Sequence, residues 1–233
     1  MKGMTEEFKG CENKFESLKK KIDGKISRAV IFLDGEPPKP EAVLKADLSN
    51  ALVICTDGAY NYAREYVKPD MLVGDLDSLG DVVVPKDVFT EKFPVKKDYT
   101  DSQLAVIAAS KLGLKRMEIY GAFGLRPDHA LVNYSLLSLA DSLGCEAVLL
   151  GGDFDVFFVT PDRPFIGRAA KDKIVSLVPY SDNVHILYTK GLQYSAELVD
   201  VGKSEIFTTS NASLGGEVEY RLKRGTALLF VEN

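Results

Sequence analysis

The chain has 233 residues, 45% hydrophobic and 27% charged, and its 29 Lys+Arg against 34 Asp+Glu leave a net charge of −5. That is enough chain for one large or two small globular domains. The mild acidity, with no basic run interleaved with aromatics, argues against a nucleic-acid partner. No apolar run approaches a membrane span, and the charged N-terminus has no signal-peptide core. The expectation is a cytoplasmic protein with no membrane partner. Cys11, Cys55 and Cys145 lack metal-ligand spacing, and the last two, in or beside apolar runs, read as reduced core residues.

Residues 1–27 form a charged extension in which Phe8, Phe15, Leu18 and Ile22 have roughly helical spacing, predicting a short amphipathic helix. Ala29–Leu33 is a continuous apolar run, the mark of a strand buried on both faces. Asp34-Gly35-Glu36 with Pro37, Pro38 and Pro40 ends it. Ala51–Cys55 is a second such run. It ends in Thr56-Asp57-Gly58, and a helical pattern follows through Tyr66. Asp57 reads either as the cap of that helix or as a functional carboxylate at a strand end.

Met71-Leu72-Val73, bounded by Pro69-Asp70, predicts a third strand, with Gly74-Asp75-Leu76-Asp77-Ser78 at its carboxyl end. In an extended chain alternate side chains point the same way, so Asp75 and Asp77 would face one site. Carboxylates this close repel unless a positive charge sits between them. Mg²⁺ carrying phosphate oxygens on its other side fits, because it takes one or two protein carboxylates plus phosphates and waters. For an isolated Asp-x-Asp the alternative is a solvated acidic turn.

Phe89–Pro94 predicts another short strand. Thr100 with Gln103 forms a capping box, opening a helix through Leu104, Ile107, Ala108 and Leu112 that Gly113 stops. Asp101 in its first turn is either a carboxylate stabilised by the helix dipole alone or a third carboxylate of a metal or phosphate site, with Lys97 nearby for phosphate charge. Arg116–Tyr120 reads as a strand. The glycine-rich loop Gly121–His129 that follows is a natural phosphate cradle, and Arg126 adds a fork suited to phosphate oxygens. Pro127 fits a first helical turn, and a periodic helix is predicted from Ala130 to Leu143, closed by Gly144. His129 by itself reads as a polar residue at a helix start.

Strand and helix alternate from about residue 28 to 150, which predicts an α/β domain with a mostly parallel sheet. The loops singled out leave strand carboxyl ends, where such sheets bind ligands. Asp57, Asp75, Asp77, Asp101 and Asp128 are therefore expected to converge on one edge. After Leu150 the runs become short and β-like: Ile174–Val178, Val184–Tyr188, Glu205–Thr209, the alternating Glu217–Lys223, and Thr226–Val231. They predict an antiparallel sandwich or barrel-like module. The expected organisation is an extension (1–27), a Rossmann-like three-layer α/β domain (28–161) and an antiparallel β-sandwich domain (162–233), with the break in Thr160-Pro161-Asp162-Arg163-Pro164.

Taken together and in order, these motifs resemble the thiamine pyrophosphokinase family. Asp57-Gly58-Ala59-Tyr60-Asn61-Tyr62 stands where the family has Asp-Gly-Gly-Ala-Asn-Arg, and its Gly-Asp-x-Asp-Ser is unchanged at Gly74–Ser78. Lys97-Asp98-Tyr99-Thr100-Asp101 matches Lys-Asp-Gln-Thr-Asp with one change. Gly124-Leu125-Arg126-Pro127-Asp128-His129 matches Gly-Gly-Arg-x-Asp-His, again with one. Gly191-Leu192-Gln193-Tyr194 is similar to its Gly-Leu-Lys-Tyr, and Ser210-Asn211 to its Ser-Asn element. The resemblance covers roughly residues 28–233 and departs at Tyr62, Tyr99 and Leu125.

The resemblance implies transfer of the pyrophosphoryl group of ATP to the hydroxyl of thiamine, giving thiamine diphosphate and AMP, in a homodimer. It implies that Asp75, Asp77 and Asp101 hold Mg²⁺, that Lys97 and Arg126 bind phosphate charge, and that Asp128 lies near the thiamine hydroxyl or the metal. Asp57, Asn61, Thr100, Gly124 and His129 are implied at the ATP site, and Tyr194, Ser210 and Asn211 at the thiamine pocket. An arginine-to-tyrosine change at Tyr62 would remove one nucleotide contact, so Tyr62→Arg is expected to lower the KM for ATP. A hydroxymethyl-pterin pyrophosphokinase, or a non-catalytic nucleotide or thiamine sensor, are the alternatives on the same scaffold.

Overall fold

A strand that is apolar on both faces needs a neighbour at each edge and a helix over each face. In the computed structural model, which describes Phe8 and residues 12–22, 24–46, 48–205 and 207–233, the apolar runs of the first half meet that need by pairing with one another. The chain divides into two compact units, one up to Leu150 and one from Gly151.

The first unit runs α1 (Glu12–Ile22), β1 (Arg28–Phe32), α2 (Pro40–Lys45), β2 (Ala51–Thr56), α3 (Ala59–Ala63), β3 (Met71–Gly74), β4 (Phe89–Lys92), α4 (Asp101–Lys111), β5 (Arg116–Tyr120), α5 (Pro127–Asn133), α6 (Ser135–Ser142) and β6 (Glu146–Leu150). Its strands lie in the order β6-β5-β1-β2-β3-β4 and every pairing among them is parallel. The chain lays down β1 to β4 in one direction and then crosses back to place β5 on the other side of β1. The winding therefore reverses between β1 and β5, and a reversal of this kind opens a crevice at the strand carboxyl ends.

Val30, Phe32, Val53, Cys55 and Leu72 are buried in one layer of this core. In α4, Leu104 to Ala109 are all buried, as befits a helix covered by a sheet on one side and α6 on the other. The N-terminal segment belongs to this unit. Phe15, Leu18 and Ile22 are buried, and Phe15 meets Phe89 of β4 edge-on at 5.8 Å, with Phe8 against Phe93 at 5.1 Å.

The helix predicted from Ala130 to Leu143 is two segments, α5 and α6, interrupted at Tyr134. Asn133 donates its amide to Ala122 O at 2.9 Å, and Ser135 Oγ donates to Val132 O at 2.6 Å. The second of these, made to a carbonyl three residues back, competes with the helix ladder. The helix predicted through Tyr66 stops at Ala63 and continues only as turns.

The second unit comprises β7 (Phe154–Val159), β8 (Phe165–Ala169), β9 (Ile174–Pro179), β10 (Asn183–Lys190), β11 (Glu197–Gly202), β12 (Asn211–Ala212), β13 (Gly216–Arg224) and β14 (Ala227–Glu232). They form antiparallel layers in the orders β12-β9-β14-β7 and β11-β10-β13-β8. Val175, Leu177, Ile186, Val218, Tyr220 and Leu229 fill the space between them. On β13 the inward residues Val218, Tyr220 and Leu222 alternate with Glu219 and Arg221 on the opposite face, as the period of a strand dictates.

The division at Leu150 falls earlier than the expected break at 161/162. Residues Phe154–Val159 pair along their whole length with β14, from Phe154↔Glu232 to Val159↔Ala227. The described residues of Glu205–Thr209 form no strand; Thr208 instead donates its hydroxyl to Leu177 O at 2.7 Å. Among the described residues no helix is long and apolar enough to cross a membrane.

Candidate active site

The loops at the carboxyl ends of β1, β2, β3 and β5, with the start of α4, enclose a cavity of about 560 Å³. Asp57, Asp75, Asp77 and Asp101 line it, together with Lys97, Thr100, Gly124, Arg126 and His129.

Asp75 and Asp77 face one site, but not by the alternation of an extended chain. Leu76 between them has φ 68°, and Asp75 Oδ1 accepts the Asp77 N–H at 3.2 Å. A turn, closed by the first carboxylate on the second residue's backbone, brings the pair together. Asp57 joins them from the end of β2. One carboxylate oxygen from each of the three lies within 4.8 Å of the others. Gly74 permits this approach, because a Cβ there would stand 2.9 Å from Asp57 Cβ.

Asp57 is buried and does not cap α3. Its Oδ2 accepts the Ser78 N–H at 3.1 Å, while its Oδ1 is buried without a hydrogen-bond partner. Burial pushes its pKa up, and the negative charge of Asp75 and Asp77 adds to that. An orphaned buried carboxylate oxygen beside two more carboxylates fits a hard divalent cation.

Lys97, with a side chain only 6% exposed, sits 3.0 Å from Asp101 Oδ1 and 3.4 Å from Asp75 Oδ2. Burial works against its charge, but the two carboxylates prevail and raise its pKa. Burial raises the pKa of Asp101 in spite of Lys97. Thr100 is committed to the capping box: its Oγ1 accepts the Gln103 N–H at 3.2 Å and its N–H reaches Gln103 Oε1 at 3.0 Å.

Of the site residues expected in the first unit, two stand outside the cavity lining. Asn61 donates its amide to Ser78 O at 3.0 Å and so fastens the acidic loop rather than facing the cavity. Asp128 is exposed and forms a two-bond pair with Arg126, at 2.6 and 3.2 Å, which holds its carboxyl down to about 2. Four of the five convergent aspartates therefore line the cavity, and Asp128 does not.

In the second unit Asn211 clamps the turn that carries Tyr194. Its Oδ1 accepts the Tyr194 N–H at 3.0 Å and its Nδ2 donates to Tyr194 O at 2.7 Å. The Tyr194 ring is exposed, and Ser210 donates its N–H to Ser176 Oγ at 2.8 Å.

The departures have separate explanations. Tyr62 is built into the scaffold: its hydroxyl donates to Leu33 O at 2.8 Å and its ring meets Phe32 edge-on. It does not line the cavity, so a structural cost is expected of Tyr62→Arg where the resemblance implied a gain in ATP affinity. Leu125 has φ 50°, a conformation that favours glycine. Tyr99 lines the cavity. Asp34, which also lines it, was not among the expected site residues. The available signal was the one used for Asp57, an aspartate followed by glycine at the end of an apolar run, but the prolines after it read as turn punctuation.

A parallel sheet whose winding reverses beside an acidic, lysine-bearing cavity defines an α/β protein of the kind that binds its ligand at strand carboxyl ends. Residues 45–149, which lie within the α/β unit, match the family described as thiamin pyrophosphokinase, catalytic domain. The thiamine pyrophosphokinase of Bacillus subtilis (strain 168) is 22% identical over 137 residues, which span 59% of this chain and 64% of that relative. In solved structures, thiamine pyrophosphokinase from Bacillus subtilis superposes with a TM-score of 0.75 at 17% identity, over 88% of this chain and 99% of that one. Yeast thiamin pyrophosphokinase gives 0.67 at 16% identity, over 91% and 89%. These structures share the fold, the α/β unit and the antiparallel β unit alike.

Proposed function

We propose that the protein is a thiamine pyrophosphokinase, which moves the pyrophosphoryl group of ATP to the hydroxyl of thiamine and releases AMP. The observation that carries this reading is the convergence of Asp57, Asp75 and Asp77, with Lys97 and Asp101 beside them, in the family-matched unit. In this reaction the alcohol oxygen bonds to the β-phosphorus as that phosphorus loses its bond to the oxygen bridging the α-phosphate. Such transfers depend on positioning and charge neutralisation more than on covalent catalysis.

Asp57, Asp75 and Asp77 would hold Mg²⁺, and Asp101, the third ligand implied by the resemblance, stands next to them in a pair with Lys97. The ion would supply charge neutralisation for the phosphates. Lys97 already lies between two carboxylates, so it is oriented toward the place where phosphate oxygens would sit. Arg126, exposed and in reach of the cavity, supplies a second cation once phosphate competes with Asp128 for it. Tyr194 offers an exposed aromatic face, which attracts a permanent cation such as the thiazolium of thiamine. Asn211 and Ser210 would hold the backbone that presents it.

The protein is proposed to act in the cytoplasm as a homodimer. The test is to mix protein, Mg-ATP and thiamine and follow AMP. Stoichiometric AMP and thiamine diphosphate are expected. Absence of AMP with thiamine, or its appearance only with a hydroxymethyl-pterin, overturns the reading.

A further inference from the structure

Asp34 stands at the carboxyl end of β1, next to the reversal of the sheet winding, and it lines the cavity. Its backbone is anchored on both sides. Leu33 donates its N–H to Tyr120 O at 2.9 Å and accepts the Tyr62 hydroxyl at 2.8 Å, and Glu36 donates its N–H to Phe123 O at 2.7 Å. The Asp34 side chain rests on Gly58, where an added Cβ would overlap the carboxylate. No hydrogen-bond donor among the described residues reaches the Asp34 oxygens, and His129 lines the same cavity. An exposed carboxylate on an anchored backbone, with no protein donor on it, has acceptor capacity to offer a ligand.

Its position says which part of a ligand it meets. Asp34 follows β1, Asp57 ends β2 and Asp75 and Asp77 follow β3, and these strands are successive neighbours. Adjacent strands lie about 4.8 Å apart, so Asp34 stands on the order of 10 Å from the Asp75–Asp77 turn. That is too far to take a proton from an alcohol attacking a phosphorus held at that turn. It matches the reach from the β-phosphate of a nucleoside triphosphate back to its ribose, whose two neighbouring hydroxyls are donors for the two oxygens of one carboxylate.

We infer that Asp34 is a specificity residue for the nucleotide: it accepts hydrogen bonds from the ribose hydroxyls of ATP and selects ribonucleotides over their deoxy forms. This rests on the pyrophosphokinase reading, in that it places ATP in the cavity, but not on the identity of the acceptor.

The test is calorimetric titration of the full chain, without thiamine, with Mg-ATP and with Mg-2′,3′-dideoxy-ATP. Wild-type protein should bind the dideoxy form more weakly by roughly tenfold or more, the worth of hydrogen bonds to a charged acceptor. Asp34→Ala should weaken Mg-ATP by a similar factor and leave the dideoxy form unchanged, so that discrimination disappears. Asp34→Asn, which keeps the contact over Gly58, should show an intermediate ratio and serves if the alanine variant does not fold. A variant that keeps the ribose discrimination, or that weakens both ligands equally, overturns the inference. Wild-type protein that binds both nucleotides equally also overturns it and leaves the pyrophosphokinase reading standing. Wild-type protein that binds neither sinks both.

Discussion

The Tyr62 hydroxyl donates a hydrogen bond to the Leu33 carbonyl at 2.8 Å, tying α3 to the last turn of chain before Asp34. At this position the family resemblance led to an arginine and a nucleotide contact, but the tyrosine holds the floor of the site. Tyr62→Phe should therefore destabilise the protein by about 1 kcal/mol, the net worth of one hydrogen bond with its acceptor left behind. Tyr62→Arg should cost more, because it brings a charge against the Phe32 ring and the buried strand end. Urea unfolding measures both. A Tyr62→Arg protein of parental stability and lower KM for ATP would show that the position faces the nucleotide.

Asp75→Asn and Asp77→Asn should each abolish AMP formation without unfolding the chain. Both side chains belong to the carboxylate cluster, and neither is part of the apolar core. Removing the Asp77 charge beside the buried Asp57 relieves repulsion there, so the melting temperature of Asp77→Asn without metal should hold or rise, whereas Asp75→Asn also loses the Lys97 pair and should be somewhat less stable. AMP production within a few-fold of the parent protein is the result that would sink the assignment.

Leu125 adopts φ 50° with its side chain 76% exposed. It gains little from burial and bears the strain of a left-handed backbone. Leu125→Gly should raise stability, by up to about 1 kcal/mol, since the strain relieved outweighs the extra freedom of glycine in the unfolded chain. Thermal unfolding of the two proteins under the same conditions checks this, and a lower melting temperature for the glycine variant contradicts it.

Glu219, 4% exposed, accepts from Arg221 Nε at 2.6 Å, Lys190 Nζ at 2.8 Å and the Tyr188 hydroxyl at 2.9 Å. Its partners Lys190, Arg221 and Tyr188 lower its pKa from 4.5 to about 2. A carboxylate with a lowered folded-state pKa contributes stability above its unfolded value and loses it as pH falls through the folded one. Glu219→Gln should thus be less stable than the parent at neutral pH, and the gap should close between pH 4.5 and about 2. Denaturant titrations at several pH values read this out. A gap that stays constant with pH would assign the loss to packing.

The sequence by itself determined the sheet of the first unit, because β1, β2 and β3 are apolar on both faces and only a covered parallel sheet accommodates such runs. It determined the capping box of Thr100 and Gln103, a contact between neighbours along the chain. The Asp75–Asp77 pair and Lys97 were legible for the same reason, as short motifs at strand ends. What depends on contacts between distant residues was decided only by the tertiary structure. The break of the helix at Tyr134 lies beside the Asn133 bond to Ala122, a contact eleven residues back along the chain. The assignment of residues 154–159 to the second unit follows from pairing with a strand more than sixty residues later in the chain. Asp57, Asp75 and Asp77 gather into one cluster because Leu76 turns left-handed and Gly74 leaves room, and neither fact shows in a pattern of alternating side chains. Asp34 and Tyr62 lie 28 residues apart, counting from 34 to 62. Only the packing of α3 against β1 makes the tyrosine a support for the aspartate and turns an unremarked loop residue into part of the site.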